Sequence, residues 1–233
     1  MSTGGAMIWP SLAPDDSPCP HAVARYCLSV QSAGDRMMRQ RIYLAGPEVF
    51  LSSAREIGAR KRAICEQHGL IGVFPADEED ACDPTLSRPD QGLAISRAME
   101  RVMRTCDAMI VNLTPFRGPS ADVGSAYEMG FMRALGRPVF AYSNDDRPFL
   151  DRVAVFCGGA LRARPTGEYE DSDGMAVEPF ALHDNLMLVG GVIGSGGCLF
   201  AAAAPHAERF TSLVAFERCV AQAASDLGRS SRS

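Results

Sequence analysis

Arg41-Ile42-Tyr43-Leu44-Ala45-Gly46-Pro47 is the stretch that decides the fold. Four consecutive apolar residues closed by Gly-Pro read as a short strand buried on both faces and stopped by a sharp turn. A helix is expected next, capped by Ser52 or Ser53, with Ala54, Ile57 and Ile64 turned inward and His68-Gly69 ending it. Leu70 to Phe74 reads as a second strand, broken by Pro75, and the acidic, Pro-containing stretch from Asp77 to Gln91 reads as an active-site loop. The pattern then predicts a helix over 95–105, a strand over 108–111, a loop at 115–119, a helix over 122–135 and a strand over 138–142. Further on, 158–178 is irregular and polar, 186–193 reads as another strand, and 205–227 as a terminal helix with Phe210, Leu213, Val214 and Val220 inward. Strands alternating with helices need crossover connections. The prediction is therefore an α/β fold, a Rossmann-like or flavodoxin-like parallel sheet with helices on both faces, in a single domain.

Composition narrows the partners. The 233 residues suit one such domain over 40–228, with a poorly ordered N-terminal extension over 1–39 and a short tail over 229–233. A net charge of -5 without a Lys/Arg-rich block argues against a nucleic-acid groove and for a small-molecule partner. The eight cysteines are scattered, with no C-x-x-C pair and no histidine at zinc-ligand spacing, so they read as reduced thiols and no metal site is expected. Nothing approaches the roughly 20 apolar residues of a membrane span. A cytoplasmic location with no membrane partner and no cofactor is the expectation.

In an open parallel sheet, ligands collect at the carboxyl ends of the strands. That directs attention to Gly46–Phe50, to Thr114–Asp122 and to the helix after it. Val123, Ala126, Tyr127, Gly130, Phe131 and Ala134 recur at helical spacing and predict its core-facing stripe, with Glu128 off that stripe. Helical side chains lean toward the N-terminus, so the Glu128 carboxylate is expected over Gly124, where a bare glycine leaves room for a substrate. Asp122, at the cap position, either satisfies helix N–H groups or reaches into the same cleft. Two carboxyl groups at one helix entrance are the equipment for glycosidic bond exchange, one attacking the anomeric carbon and one assisting the leaving group. The pattern alone leaves open that Asp122 is merely a cap and Glu128 a solvated helix residue. A Gly-rich run, Gly190–Gly197, lacks dinucleotide-site spacing.

The segments Ile42–Phe50, Cys106-Asp107, Asn112–Gly118, Asp122–Gly130 and Asn185–Leu188, in this order, resemble the nucleoside 2-deoxyribosyltransferase family over roughly 41–222. The resemblance implies that Glu128 is the nucleophile, that Asp122 contacts the base and assists its departure, and that Tyr43 orients the glutamate. It further implies a homo-oligomer in which Asn185 serves a neighbouring subunit's site by binding the sugar hydroxyls. Gly46, Pro47, Phe50, Arg117, Gly124 and Ser125 complete the expected substrate-binding set. Position 99 departs from the pattern: the family usually carries Asp or Asn there to hold sugar or base, and this chain has Met99, with Glu100 beside it as a possible substitute. The implied activity is transfer of a 2-deoxyribosyl group between nucleobases through a covalent glutamate intermediate, with hydrolysis as a side reaction. Its substrates are 2′-deoxynucleosides and free nucleobases. Tyr43 read as a core aromatic, Asn185 as a turn residue and Arg117 as a loop brace remain the plainer alternatives. Two rival functions also stand. One is a 2′-deoxynucleoside 5′-monophosphate N-glycosidase, with Arg117, Ser120 and Ser125 cradling the phosphate; the other is a non-catalytic nucleotide-binding module.

Overall fold

A computed structural model describes residues 39–75 and 83–230, all within one compact unit. The expected N-terminal extension and the first part of the acidic loop after Pro75, residues 76–82, lie outside the described residues. Strand β1 (Arg41–Ala45) is followed by a 3-10 turn at Pro47–Phe50, helix α1 (Ala54–Gln67), strand β2 (Ile71–Val73) and helix α2 (Arg88–Arg104). Strand β3 (Ala108–Asn112), α3 (Val123–Ala134), β4 (Val139–Ser143) and α4 (Phe149–Phe156) come next. Three two-residue strands, β5 (Arg162–Ala163), β6 (Tyr169–Glu170) and β7 (Ala176–Val177), form a small antiparallel sheet. Helix α5 (Leu186–Gly194), β8 (Leu199–Ala201) and α6 (Val214–Ser230) complete the chain.

The main sheet runs β2-β1-β3-β4-β8, every pair parallel, which is the flavodoxin-like order with its reversal between β1 and β3. Alternation along each strand divides the core in two. Ile42 and Leu44 face a layer built with Leu70, Ile110, Tyr142, Phe216 and Val220, under α1 and α6. Tyr43 and Ala45 face the other layer, with Met103, Met109, Val111, Met129, Met132 and Val192, under α2, α3 and α5. Both faces are thus covered, which is why β1, β3 and β4 read as unbroken apolar runs.

Four expectations need correction. Residues 186–193 form α5, not a strand: Asn185 caps the segment, its Oδ1 accepting from the Met187 N–H at 3.0 Å, and Val192 packs against the sheet. The fifth parallel strand is the three-residue β8 instead, paired with β4 from Ala141–Leu199 to Ser143–Ala201. Gly197 permits this approach, because a Cβ there would lie 1.9 Å from the Val139 carbonyl oxygen. The terminal helix starts at Val214 rather than Pro205, since the Asn144 amide donates to the Arg209 and Ser212 carbonyls at 2.9 and 3.0 Å and holds that segment as a loop. Helix α2 begins at Arg88, inside the expected acidic loop, because Ser87 caps it by accepting from the Asp90 N–H.

The fourth correction concerns α3. Its inward residues are Ser125, Met129 and Met132, with Glu128 largely buried on the same face. Val123 is 85% exposed and Tyr127 56% exposed. The apolar stripe read from the sequence is the outer face of the helix, and the carboxylate expected off the stripe points toward the sheet.

Candidate functional site

The site gathers where β1 and β3 end and α3 begins. Gly46 ends β1 and brings the backbone against Asn112 and Glu48; a Cβ there would meet Glu48 Oε2 at 2.3 Å and Asn112 Cβ at 2.6 Å, so no larger residue fits. Pro47 then opens the 3-10 turn that carries Glu48 back under the sheet edge.

Tyr43 is fully buried on β1, and its hydroxyl donates to Glu128 Oε1 at 2.5 Å. The ring fills the core under α3 while the hydroxyl meets the carboxylate, so the core-aromatic and orienting readings describe one residue. Burial pushes the Glu128 carboxyl up to about 7 from an ordinary 4.5; the Tyr43 hydrogen bond opposes the rise, and the Asp122 and Glu48 carboxylates add to it. Oε2 of Glu128 carries no hydrogen bond to a described residue.

Asp122 is the cap of α3. Its Oδ2 accepts from the Ser125 N–H at 2.9 Å and from the Ser125 hydroxyl at 3.1 Å, while Oδ1 has no partner among the described residues. The capping and cleft-facing readings are therefore compatible, one per oxygen. Ser125 is buried and spends its hydroxyl on this cap. Gly124 is exposed on the outer turn, and a Cβ there would touch Asp122 Oδ2 at 3.0 Å.

The remaining expected residues fall into two groups. Phe50, 59% exposed, stacks on Phe116 with centroids 5.3 Å apart and planes 9° apart, and the Arg117 guanidinium lies over both rings at 5.3 and 4.6 Å. Phe210 meets Phe116 edge-on at 5.9 Å. This wall offers an open aromatic face of the kind a nucleobase stacks on. Arg117 itself holds a positive φ of 55°, which only a tightly determined loop sustains in a non-glycine residue. Met99 and Asn185 sit differently. Met99 is buried in α2, and Glu100 does not replace it in the site, because its carboxylate accepts from the Tyr127 hydroxyl at 2.5 Å on the outer side of α3. Asn185 caps α5 and donates its Nδ2 to Glu178 at 2.6 Å.

Sequence reasoning missed two buried hubs. Glu48 is fully buried, ion-paired with Lys61, accepting from Asn112 Nδ2 at 2.8 Å and from the Tyr142 hydroxyl at 3.3 Å. Lys61 lies over the rings of Phe74, Tyr142 and Phe216. A glutamate directly after a strand-ending Gly-Pro was the available signal. Asp184 is the second hub, 1% exposed. It accepts from the Ser120 hydroxyl, from the Ala121 N–H at 3.2 Å and from the Asn185 N–H at 2.8 Å, and it pairs with Arg152 at 3.4 Å. With Ser120 given to Asp184 and Ser125 to Asp122, the expected Arg117–Ser120–Ser125 phosphate cradle does not assemble.

Among the described residues no group of three His, Cys, Asp or Glu could hold a metal ion, and no helix is long and apolar enough to cross a membrane. The five described cysteines are free.

Residues 42–187, more than half of the chain, match the family model described as nucleoside 2-deoxyribosyltransferase. An uncharacterized protein of Schizosaccharomyces pombe is 33% identical over 165 residues, covering 67% of this chain and 78% of that protein. Among solved structures, a 2-desoxiribosyltransferase from Leishmania mexicana is 29% identical, covers 64% of this chain and 85% of its own, and superposes with a TM-score of 0.46. A 2-deoxyribosyltransferase from Bacillus psychrosaccharolyticus is 18% identical, with 50% and 81% coverage and a TM-score of 0.38.

Proposed function

The chain belongs to the nucleoside 2-deoxyribosyltransferase family, and from that premise we propose that it transfers a 2-deoxyribosyl group between nucleobases, with Glu128 as the nucleophile. The observation that carries the reading is the pairing of the largely buried Glu128 carboxylate with the Tyr43 hydroxyl at the carboxyl end of the sheet. Tyr43 holds Oε1 and fixes the carboxylate plane, which leaves Oε2 to attack C1′. As the C1′–N bond lengthens, an oxocarbenium-like sugar forms, and the missing 2′-hydroxyl helps because it would withdraw electrons from that cation. Asp122, when its Oδ1 carries a proton, donates that proton to the departing base and is left as the carboxylate, which takes a proton back from the incoming base in the reverse steps. A C1′–Oε2 ester results, and a second base displaces Glu128 by the same steps reversed. Water in place of that base gives hydrolysis.

The Phe50–Phe116 face with Arg117 is proposed to stack the base, while Gly46 lets the end of β1 close against Glu48 and Asn112. Met99 removes one polar group from the sugar or base pocket, so recognition rests more heavily on the aromatic wall. The proposal includes a homo-oligomer. Exposed Val123 and Tyr127 on α3, with Leu186, Met187 and Ile193 on the neighbouring α5, form an apolar surface suited to a second copy, and Asn185 begins that helix. Light scattering on the purified chain tests this, and a monomer at assay concentration rejects the shared site.

The activity test is base exchange. The protein is incubated with a deoxynucleoside and a different free base, and both products are followed by chromatography for wild type and Glu128→Ala. New nucleoside that disappears in the variant supports transfer. Base release without new nucleoside points to hydrolysis, and equal activity in the two proteins removes Glu128 from its role.

A further inference from the structure

We propose that a cavity of about 510 Å³ between the 115–119 loop, the end of β4 and α4 is a binding site for a phosphomonoester, held by arginine side chains. It lies beyond the ends of β3, β4 and β8, on the carboxyl side of the sheet where ligands collect, and its size suits a nucleotide-scale ligand. Arg117, Arg147, Arg152 and Arg209 line it against Asp145 and Asp146, an excess of positive charge in a chain whose net charge is -5. Asp145 is already engaged by Arg147, at 2.9 Å to Nε and 2.5 Å to Nη2. Arg117 and Arg209 are exposed and have no carboxylate partner among the described residues; Arg209 Nη1 lies 3.0 Å from His206 Nε2.

The second observation is Arg152. It is 3% exposed, its Nη2 is given to the His183 carbonyl and Asp184, and its Nε and Nη1 have no partner. Burial holds this guanidinium below its ordinary pKa, against the pull of Asp184 and Asp145. A buried cation with two unmatched N–H groups is costly, and an anion brought against the cavity wall offsets that cost. Arginine forks match phosphate oxygens in pairs, which selects a phosphomonoester over a single-point anion. The site requires no chemistry at Glu128. The loop that walls it runs on to Asp122, so the phosphate is either the substrate's own 5′-phosphate or that of a separate ligand.

Calorimetric titration of the full chain carrying Glu128→Ala, in which nothing is turned over, tests the proposal with inorganic phosphate, a 2′-deoxynucleoside 5′-monophosphate and the unphosphorylated deoxynucleoside. Phosphate and monophosphate are expected to bind, and Arg209→Ala to weaken both by about 10- to 100-fold, the loss of one charge-assisted hydrogen bond. Arg147→Ala, which also frees Asp145, is expected to do the same, and both positions are exposed enough to leave folding intact. Monophosphate that displaces both deoxynucleoside and phosphate identifies the substrate's own phosphate. Monophosphate that displaces phosphate but leaves deoxynucleoside bound identifies a separate ligand. Absence of phosphate and monophosphate binding overturns the proposal, as does binding unchanged in both arginine variants. Because turnover is absent by design, failure of base exchange leaves this result independent.

Discussion

Replacing Glu128 with glutamine should make the protein more stable, and more so as the pH rises. The Glu128 carboxyl is displaced from 4.5 to about 7 by burial and by two neighbouring carboxylates. The fold therefore favours the neutral acid over the anion. The sign follows directly: the native state holds a proton that the unfolded chain has released, so this group's contribution is fully present below 4.5 and is lost as pH rises through about 7. Each tenfold displacement of a proton equilibrium is worth about 1.4 kcal/mol, so the raised pKa of Glu128 costs folding about 3 kcal/mol at pH 8 and about 1 at pH 5, relative to a neutral side chain. Glutamine keeps the acceptor for the Tyr43 hydroxyl and carries no charge to bury. Urea unfolding of wild type and Glu128→Gln at the two pH values measures the difference, with other titrating groups common to both proteins. A stabilisation near 3 kcal/mol at pH 8 corresponds to roughly 6–12 °C in Tm for a chain of this size. A difference that is flat between pH 5 and pH 8, or that shrinks as pH rises, would refute the placement of Glu128 as a strained, largely buried anion.

The same ionisation sets the activity profile: kcat/KM for base exchange should fall tenfold per unit below about pH 7, because only the anion attacks, and a pH-rate series finds or fails to find that limb. Tyr43→Phe removes the one contact that lowers the Glu128 pKa, so its rate should drop about 10- to 100-fold and its acidic limb should move to higher pH; a lowered rate with an unmoved limb would make Tyr43 a packing residue only. Lys61→Met strands Glu48 as an unpaired buried charge and should destabilise by about 3–5 kcal/mol in denaturant unfolding, whereas adding Glu48→Gln in the same chain should recover part of that loss. Asp122→Asn keeps a cap acceptor but has no acid to give, so exchange should slow by about 10²–10⁴-fold with little change in unfolding midpoint.

The buried strands were legible because a parallel sheet covered on both sides writes itself as unbroken apolar runs, and β1, β3 and β4 obey that pattern. The site was harder to read from the same pattern. On α3 the inward face carries Ser125, bound to the Asp122 cap, and Glu128, bound to Tyr43, while the outward face carries Val123 and Tyr127, so hydrophobic periodicity named the wrong side. Helix α5 misled for a related reason: a short apolar run with two central glycines has no period strong enough to separate helix from strand, and only the Asn185 cap distinguishes them. Glu48 left only the weak signal of a glutamate behind a strand-ending Gly-Pro, and Asp184 none, because their importance lies in partners distant in sequence, such as Asn112 and Ser120, whose proximity exists only once the sheet is folded.

Asp184 also bears on how genetic data from this chain would be interpreted. One carboxylate ties the residues just before the α3 cap to the cap residue of α5 and to a buried arginine from α4. Its loss would loosen three elements together and let Asp122 wander without removing any atom from the proposed reacting centre. A screen for inactive variants would return Asp184 alongside Glu128, and ranking by lost turnover would file both under chemistry. Their thermal behaviour is expected to separate them: the neutral replacement at Glu128 should stabilise the protein, and loss of the Asp184 tether should weaken it.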